Sequence, residues 1–151
     1  MAAMENGVSF ADLDLDHDER FQRLRADLGV SAFGLNLMLL RPGQRSRIHR
    51  HEHQEEVYVV LQGTLSLFVE GERHELGRGR AARVAPEVRR QLLNDHDDVL
   101  AILAIGGAGG HEGRDGRAYE SWDEEGDGRP PQEVPLPEDL RARGADPGGG
   151  A

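Results

Sequence analysis

Apolar positions in this chain recur mostly with a period of two. The mostly apolar run Val30–Leu40 predicts a first buried strand, closed by the turn residues Arg41-Pro42-Gly43. Beyond Gly43 the side chains alternate. His49, His51 and His53 share one face of an extended segment, and Glu56, Tyr58 and Val60 face opposite to Val57, Val59 and Leu61. Gly63 marks a turn, Thr64–Val69 returns as a strand, and Glu70-Gly71-Glu72 turns again into Arg73–Leu76. Val99–Ile105 is a further buried strand, and Gly106–Gly110 reads as a loop. Several short strands divided by Gly and Pro turns predict an all-β antiparallel barrel or sandwich. A short helix over Asp18–Asp27, with Phe21, Leu24 and Leu28 on one side, is the exception.

Outside this pattern the chain changes character. Met1–Ala11 has no period and is expected to be mobile. Ala118–Trp122 is expected to fold back and cover Tyr119 and the single Trp. From Glu124 onward Gly, Pro and charge dominate, which predicts a disordered tail. Cutting the chain at Glu124 is then expected to move the melting temperature by only about a degree or two. The organisation read from the pattern is an acidic lead-in with a short helix over 1–28, a β-barrel domain over 29–122, and a disordered acidic tail over 123–151.

Composition narrows the chemistry. A chain of 151 residues suits one domain. It has no Cys, and all 18 basic residues are Arg, which removes thiolate ligands, disulfides, cysteine nucleophiles and lysine Schiff bases. The net charge of −10 is carried by the ends: seven acids against three Arg in 1–28, eight against three in 123–151, and thirteen against twelve between them. Without a basic face no nucleic-acid partner is expected. The apolar runs are too short and too Gly-interrupted to span a bilayer, so no membrane partner is expected either. With no signal-like N-terminus, the expected location is the cytoplasm. Asp12, Asp14, Asp16 and Asp18 suggest a calcium loop, but His17 replaces its Gly and Arg23 its bidentate Glu.

The chemistry-bearing stretch is Gly43–Gly63, GQRSRIHRHEHQEEVYVVLQG. Two imidazoles, His49 and His51, and the carboxylate of Glu56 are spaced to converge from neighbouring strands. That set suits a divalent ion, while a metal-free polar pocket of hydrogen-bonded histidines is the alternative. His53 is placed at the rim, behind the ligands. The spacing resembles the first motif of the cupin superfamily, G-x5-H-x-H-x(3,4)-E-x6-G, at each fixed position. The resemblance covers about Arg41–Gly106. It implies a small antiparallel jelly-roll barrel with acidic disordered tails, a divalent ion (Fe, Mn, Ni, Zn or Cu) on His49, His51 and Glu56, and a homodimer.

The second motif of that superfamily, G-x5-P-x-G-x2-H-x3-N, is only partly kept. Aligned on Gly79 it gives Ala85, Glu87, Arg90 and Asn94, so Arg90 stands where a fourth ligand imidazole is expected. A guanidinium stays charged and repels a dication, by about 8 kcal/mol at ~4 Å and an effective dielectric near 20. Three placements are open: Arg90 points out of the pocket, pairs with Glu56 in a metal-free site, or clamps an anionic substrate. With Tyr58 it is assigned to substrate binding. The function implied is binding of a metal and a small polar or anionic molecule, as in oxygenase or isomerase cupins. The alternative is a non-catalytic small-molecule binding or sensing module, metal-free in its simplest form.

Overall fold

The computed structural model describes residues 6–107 and 115–140. Its strands, numbered in chain order, form two antiparallel five-stranded sheets. One sheet has the lateral order β1 (Phe21–Gln22), β2 (Gly34–Leu40), β9 (Leu100–Gly107), β4 (Glu55–Gln62), β7 (Ala81–Val84). The other has β10 (Gly116–Tyr119), β3 (Ile48–His51), β8 (Arg90–Leu93), β5 (Leu65–Val69), β6 (Glu72–Leu76). From β3 onward the chain crosses from one sheet to the other at nearly every step, which is the wiring of a jelly-roll barrel.

The alternation along β4 sets the barrel's interior. Tyr58 and Val60 point inward at 1% exposure each and meet Leu40, Leu65, Leu92 and Ile102 from both sheets. On the outer face of β2, Leu37 and Leu39 pack with Leu24 of the helix α1 (Leu24–Leu28). Strand β2 is thus buried on both faces, which is why its sequence, apart from the cavity-lining Asn36, is apolar instead of alternating. Burying one such leucine is worth about 1.5–3 kcal/mol.

Two glycine-bearing turns close strand pairs. The hairpin between β5 and β6 has two central residues, Glu70 and Gly71, both at positive φ (50° and 83°), as a type I′ turn requires. Gly63 has φ 79°, and a Cβ there would stand 2.7 Å from the Val99 carbonyl oxygen, so only glycine fits the approach.

The helix expected over Asp18–Asp27 is shorter and later. Phe21–Gln22 instead pairs with Leu37 and Met38 at the open edge of β2, and the helix begins at Leu24. Sheet pairing at a free edge satisfies the backbone there better than an extra helical turn would.

The expected disorder of 123–151 is corrected for residues up to 140, while 141–151 lie outside the described residues, as do 1–5 and 108–114 with most of the expected Gly106–Gly110 loop. Val134 is 1% exposed, and the segment around it crosses the barrel mouth as a strap. Arg47 Nε donates to the Val134 carbonyl at 2.6 Å and Arg45 Nε to that of Glu138 at 3.0 Å. The Leu140 amide donates to the Gly43 carbonyl at 2.7 Å. Compositional reasoning missed the strap because its backbone is satisfied by arginines far away in sequence. Pro130, Pro131, Pro135 and Pro137 also preset an extended chain, which lowers the entropy lost on docking.

Candidate metal centre

Strand β3 brings His49 and His51 to the barrel interior, with Arg47 two residues earlier on the same face. Strand β4 brings Glu56 and Tyr58 from the facing sheet. All five side chains line one cavity of about 200 Å³. His49 Nε2 stands 3.7 Å and His51 Nε2 3.1 Å from the same oxygen, Glu56 Oε1. Donor atoms around a divalent ion with ~2.1 Å bonds lie about 3.0–3.4 Å apart; the His51 spacing falls in that range and the His49 spacing lies slightly beyond it. The three ligand atoms lie within 4.8 Å of one another.

The two imidazoles are oriented differently. His49 Nδ1 lies 2.9 Å from the Arg47 carbonyl oxygen, which can only accept. Nδ1 therefore carries a proton, and Nε2 faces Glu56, where it can hold a metal ion or, when protonated as well, pair with the carboxylate. His51 sits between two carboxylates: Nε2 faces Glu56, and the buried Nδ1, without a hydrogen-bond partner, faces Asp115 Oδ2 at 3.8 Å. A neutral ring has one N–H and cannot serve both carboxylates. A second proton satisfies both sides, and so does a metal ion on Nε2, because the remaining proton then resides on Nδ1 and points at Asp115, the carboxylate–histidine–metal arrangement. The residues present fit a divalent ion.

The Glu56 carboxylate is the hub. Burial pushes its pKa up, yet the His49 and His51 imidazoles outweigh burial and hold it well below the usual carboxylate range. The Tyr58 hydroxyl donates to Glu56 Oε1 at 2.5 Å. Burial first, then the Glu56 charge, raise the phenol well above its ordinary value against the opposing Arg90 charge, so Tyr58 stays protonated.

Arg90 lies on β8 directly opposite His49 on β3, so the two share a face and the alignment of the second motif is spatially sound. Its side chain is 0% exposed and its Nη2 stands 3.9 Å from Glu56 Oε1. The guanidinium also donates to the Ala85 and Pro86 carbonyls at 3.3 and 3.4 Å. Of the three placements open in the sequence, this geometry is the pairing with Glu56. Arg90 does not point outward, and it does not line the cavity. Asn94, the last residue of that motif, is buried and ties the Leu40 and Asp98 carbonyls together through its amide at 2.8 and 2.7 Å.

His53 leaves the shared face because β3 ends at His51. Its side chain is 63% exposed and its Nδ1 stands 3.0 Å from Asp115 Oδ1. Asp115 was invisible to spacing arguments, since it follows a glycine-rich stretch with no period. It accepts the backbone amides of Gln54 at 2.7 Å and His53 at 2.9 Å. Burial pushes its pKa up, but these amides and the His53 ring outweigh it and hold the carboxyl below its ordinary value. Glu52, His53 and Asp115 form a second acidic–imidazole group, but Glu52 is engaged by Arg117 at 2.9 Å and Asp115 by the two amides. That group ties the β3–β4 connection to β10.

Arg47 carried a usable signal that was not followed: it extends the period-two face of His49 and His51. Arg20, Pro131 and Leu136 also line the cavity, and nothing local in the sequence announced them.

Residues 36–106 match the Cupin_2 family, described as a cupin domain. A cupin protein from Bacteroides fragilis superposes with TM-score 0.62 at 24% identity, over 70% of this chain and 86% of that one. A sugar phosphate isomerase of the cupin superfamily from Silicibacter pomeroyi superposes with TM-score 0.59 at 28% identity, over 67% of this chain and 65% of that one. A Cupin 2 conserved barrel domain protein from Salinispora arenicola gives TM-score 0.54 at 29% identity, over 64% and 81%. No curated protein matches the sequence. Among the described residues no helix is long and apolar enough to cross a membrane.

Proposed function

The chain carries a domain of the cupin superfamily, and from that premise we propose that its barrel pocket holds a divalent ion on His49, His51 and Glu56 beside a small bound molecule. The observation that supports this best is His51, held between the Glu56 and Asp115 carboxylates with a buried Nδ1 that no neutral ring can satisfy on both sides. A bound ion would supply Lewis acidity to a substrate oxygen. The chain's own part is to orient and to exclude water. Tyr58 holds Glu56 in place, Asp115 faces the outer nitrogen of His51, and Met38, Leu40 and Ala104 wall the cavity. Arg90, wholly buried, moves in this proposal from substrate contact to support of Glu56. Tyr58 lines the cavity and keeps its place as a substrate contact.

Isomerisation is the reaction to test first, since the Silicibacter pomeroyi protein is described as a sugar phosphate isomerase, with metal-dependent oxygenation second. In either case Glu56→Gln should remove turnover and leave the far-UV spectrum unchanged. Tight stoichiometric binding of an unaltered ligand, with no turnover in wild type, would favour the non-catalytic module. A homodimer belongs to the same proposal, and sedimentation of the purified chain reads it directly.

One observation favours a metal-free binding module as the second reading. Arg90 and the Tyr58 hydroxyl both crowd Glu56 Oε1 and neutralise it without an ion. The two readings separate on melting temperature. Mn, Fe, Ni, Zn or Cu added to chelator-treated protein is expected to raise it for at least one ion, by about 2.7 kcal/mol of stability at a hundred times Kd. His51→Ala should abolish the rise. If no ion shifts the wild type, the metal-free module is the better account.

A further inference from the structure

The cavity has a second polar end. Arg47, just before β3, and Arg20, just before β1, reach it from the sides of opposite sheets. Arg47 uses Nε on the Val134 carbonyl, and among the described residues no carboxylate forms an ion pair with it. Arg20 donates Nη1 to the Arg45 carbonyl at 2.8 Å, and its nearest counter-charge is Asp139 at 3.6 Å, whose side chain is 58% exposed. Burial, with Arg47 adding to it and Asp139 opposing, lowers the Arg20 pKa, so the two guanidinium groups are near enough to repel. Two cations thus face the cavity with one partly exposed carboxylate, paired with Arg20, between them, while Glu56, at the other end, already has the Arg90 guanidinium 3.9 Å away and the Tyr58 hydroxyl bonded to it. A ligand with negative charge gains at the first end and loses at the second.

Resting on the pocket reading above, we propose that Arg47 and Arg20 form an anion subsite at the cavity mouth, so that the molecule held beside His49, His51 and Glu56 is a small acid with one carboxylate or phosphate head group. Its body is short. The cavity, about 200 Å³, is smaller than the ~300–1,000 Å³ usual for small-molecule pockets. The body lies against Met38, Leu40 and Ala104, under the Pro131 and Leu136 side chains of the strap. Guanidinium groups suit such heads because their planar forks match carboxylate and phosphate oxygens. This moves the anion site from Arg90, where the sequence placed it, to the other end of the pocket.

Calorimetric titration of chelator-treated protein with propionate, propionamide and inorganic phosphate, each with and without Mn²⁺, tests the proposal. Propionate or phosphate should bind at least tenfold more tightly than the neutral amide, and the better of the two identifies the head group. Arg47→Gln should weaken anion binding about ten- to a hundredfold, the range for a charge-assisted contact, without weakening Mn²⁺. Arg47→Lys should keep part of the anion affinity. Arg20→Gln leaves the Val134 anchor intact and carries the test should Arg47→Gln unfold by circular dichroism. Equal binding of acid and amide, or anion binding unchanged in both glutamine variants, would overturn the subsite. A failure of the metal reading looks different: no ion changes the melting temperature while propionate or phosphate still binds through Arg47.

Discussion

Arg90→Ala is expected to destabilise the metal-free protein by about 3–5 kcal/mol, the range for removing one partner of a buried charge pair. The melting temperature should fall on the order of 10 °C, at ~2–4 °C per kcal/mol for a chain of this size. The reason is positional. Arg90 is wholly buried, 3.9 Å from Glu56 Oε1, and its guanidinium also satisfies the Ala85 and Pro86 carbonyls. Alanine leaves a hole and two unmet acceptors, and it strips a cation from a buried carboxylate. Metal affinity should move the other way. Arg90→His removes a fixed positive charge opposite His49 and offers an imidazole in its place, so divalent-ion affinity should rise about 10–100-fold, the scale on which groups around a metal site tune it. Thermal melts of apo protein with ion titrations of wild type, Arg90→Ala and Arg90→His read both signs. Arg90→Ala melting within two degrees of wild type would mean that Arg90 contributes no net stability where it is buried.

Removing residues 124–151 should lower the melting temperature by more than about 5 °C, whereas removing only 141–151 should change it by no more than a degree or two. The strap covers Val134 almost completely, worth about 1.5–3 kcal/mol for that side chain alone. It also engages Arg45, Arg47 and, through the Glu124 carbonyl, Arg89. Its far end seats on Gly43, where a Cβ would stand 2.5 Å from the Leu140 carbonyl oxygen. The longer deletion also opens the cavity roof formed by Pro131 and Leu136. A longer truncation that melts with wild type would make the strap a passenger, as its composition alone suggests.

The barrel was legible because period-two alternation and glycine turns are local. Gly63 and the Glu70-Gly71 hairpin each need a backbone conformation that sequence reveals directly. His49, His51 and Glu56 were legible for the same reason, since two strands consecutive in sequence carry them at fixed offsets. The residues missed depend on distant approach. Asp115 reaches His51 only because β10 pairs with β3. Arg20 reaches the cavity only because the Phe21–Gln22 edge pairs with β2. The strap was misread because low apolar content suggested a chain unable to bury surface, whereas one valine and three arginine contacts sufficed to dock a proline-stiffened segment. Arg90 lies opposite His49 but is wholly buried and does not line the cavity, and burial cannot be read from a register position.

The proposed metal site must hold its ion despite the buried Arg90 guanidinium. Elemental analysis of protein purified without a histidine tag, run beside His51→Ala, tests it most directly. About one divalent ion per chain is expected in wild type and almost none in His51→Ala, the three-ligand set being too poor with one imidazole gone. Wild type and His51→Ala with the same near-zero content, unchanged after incubation with each candidate ion, would contradict it.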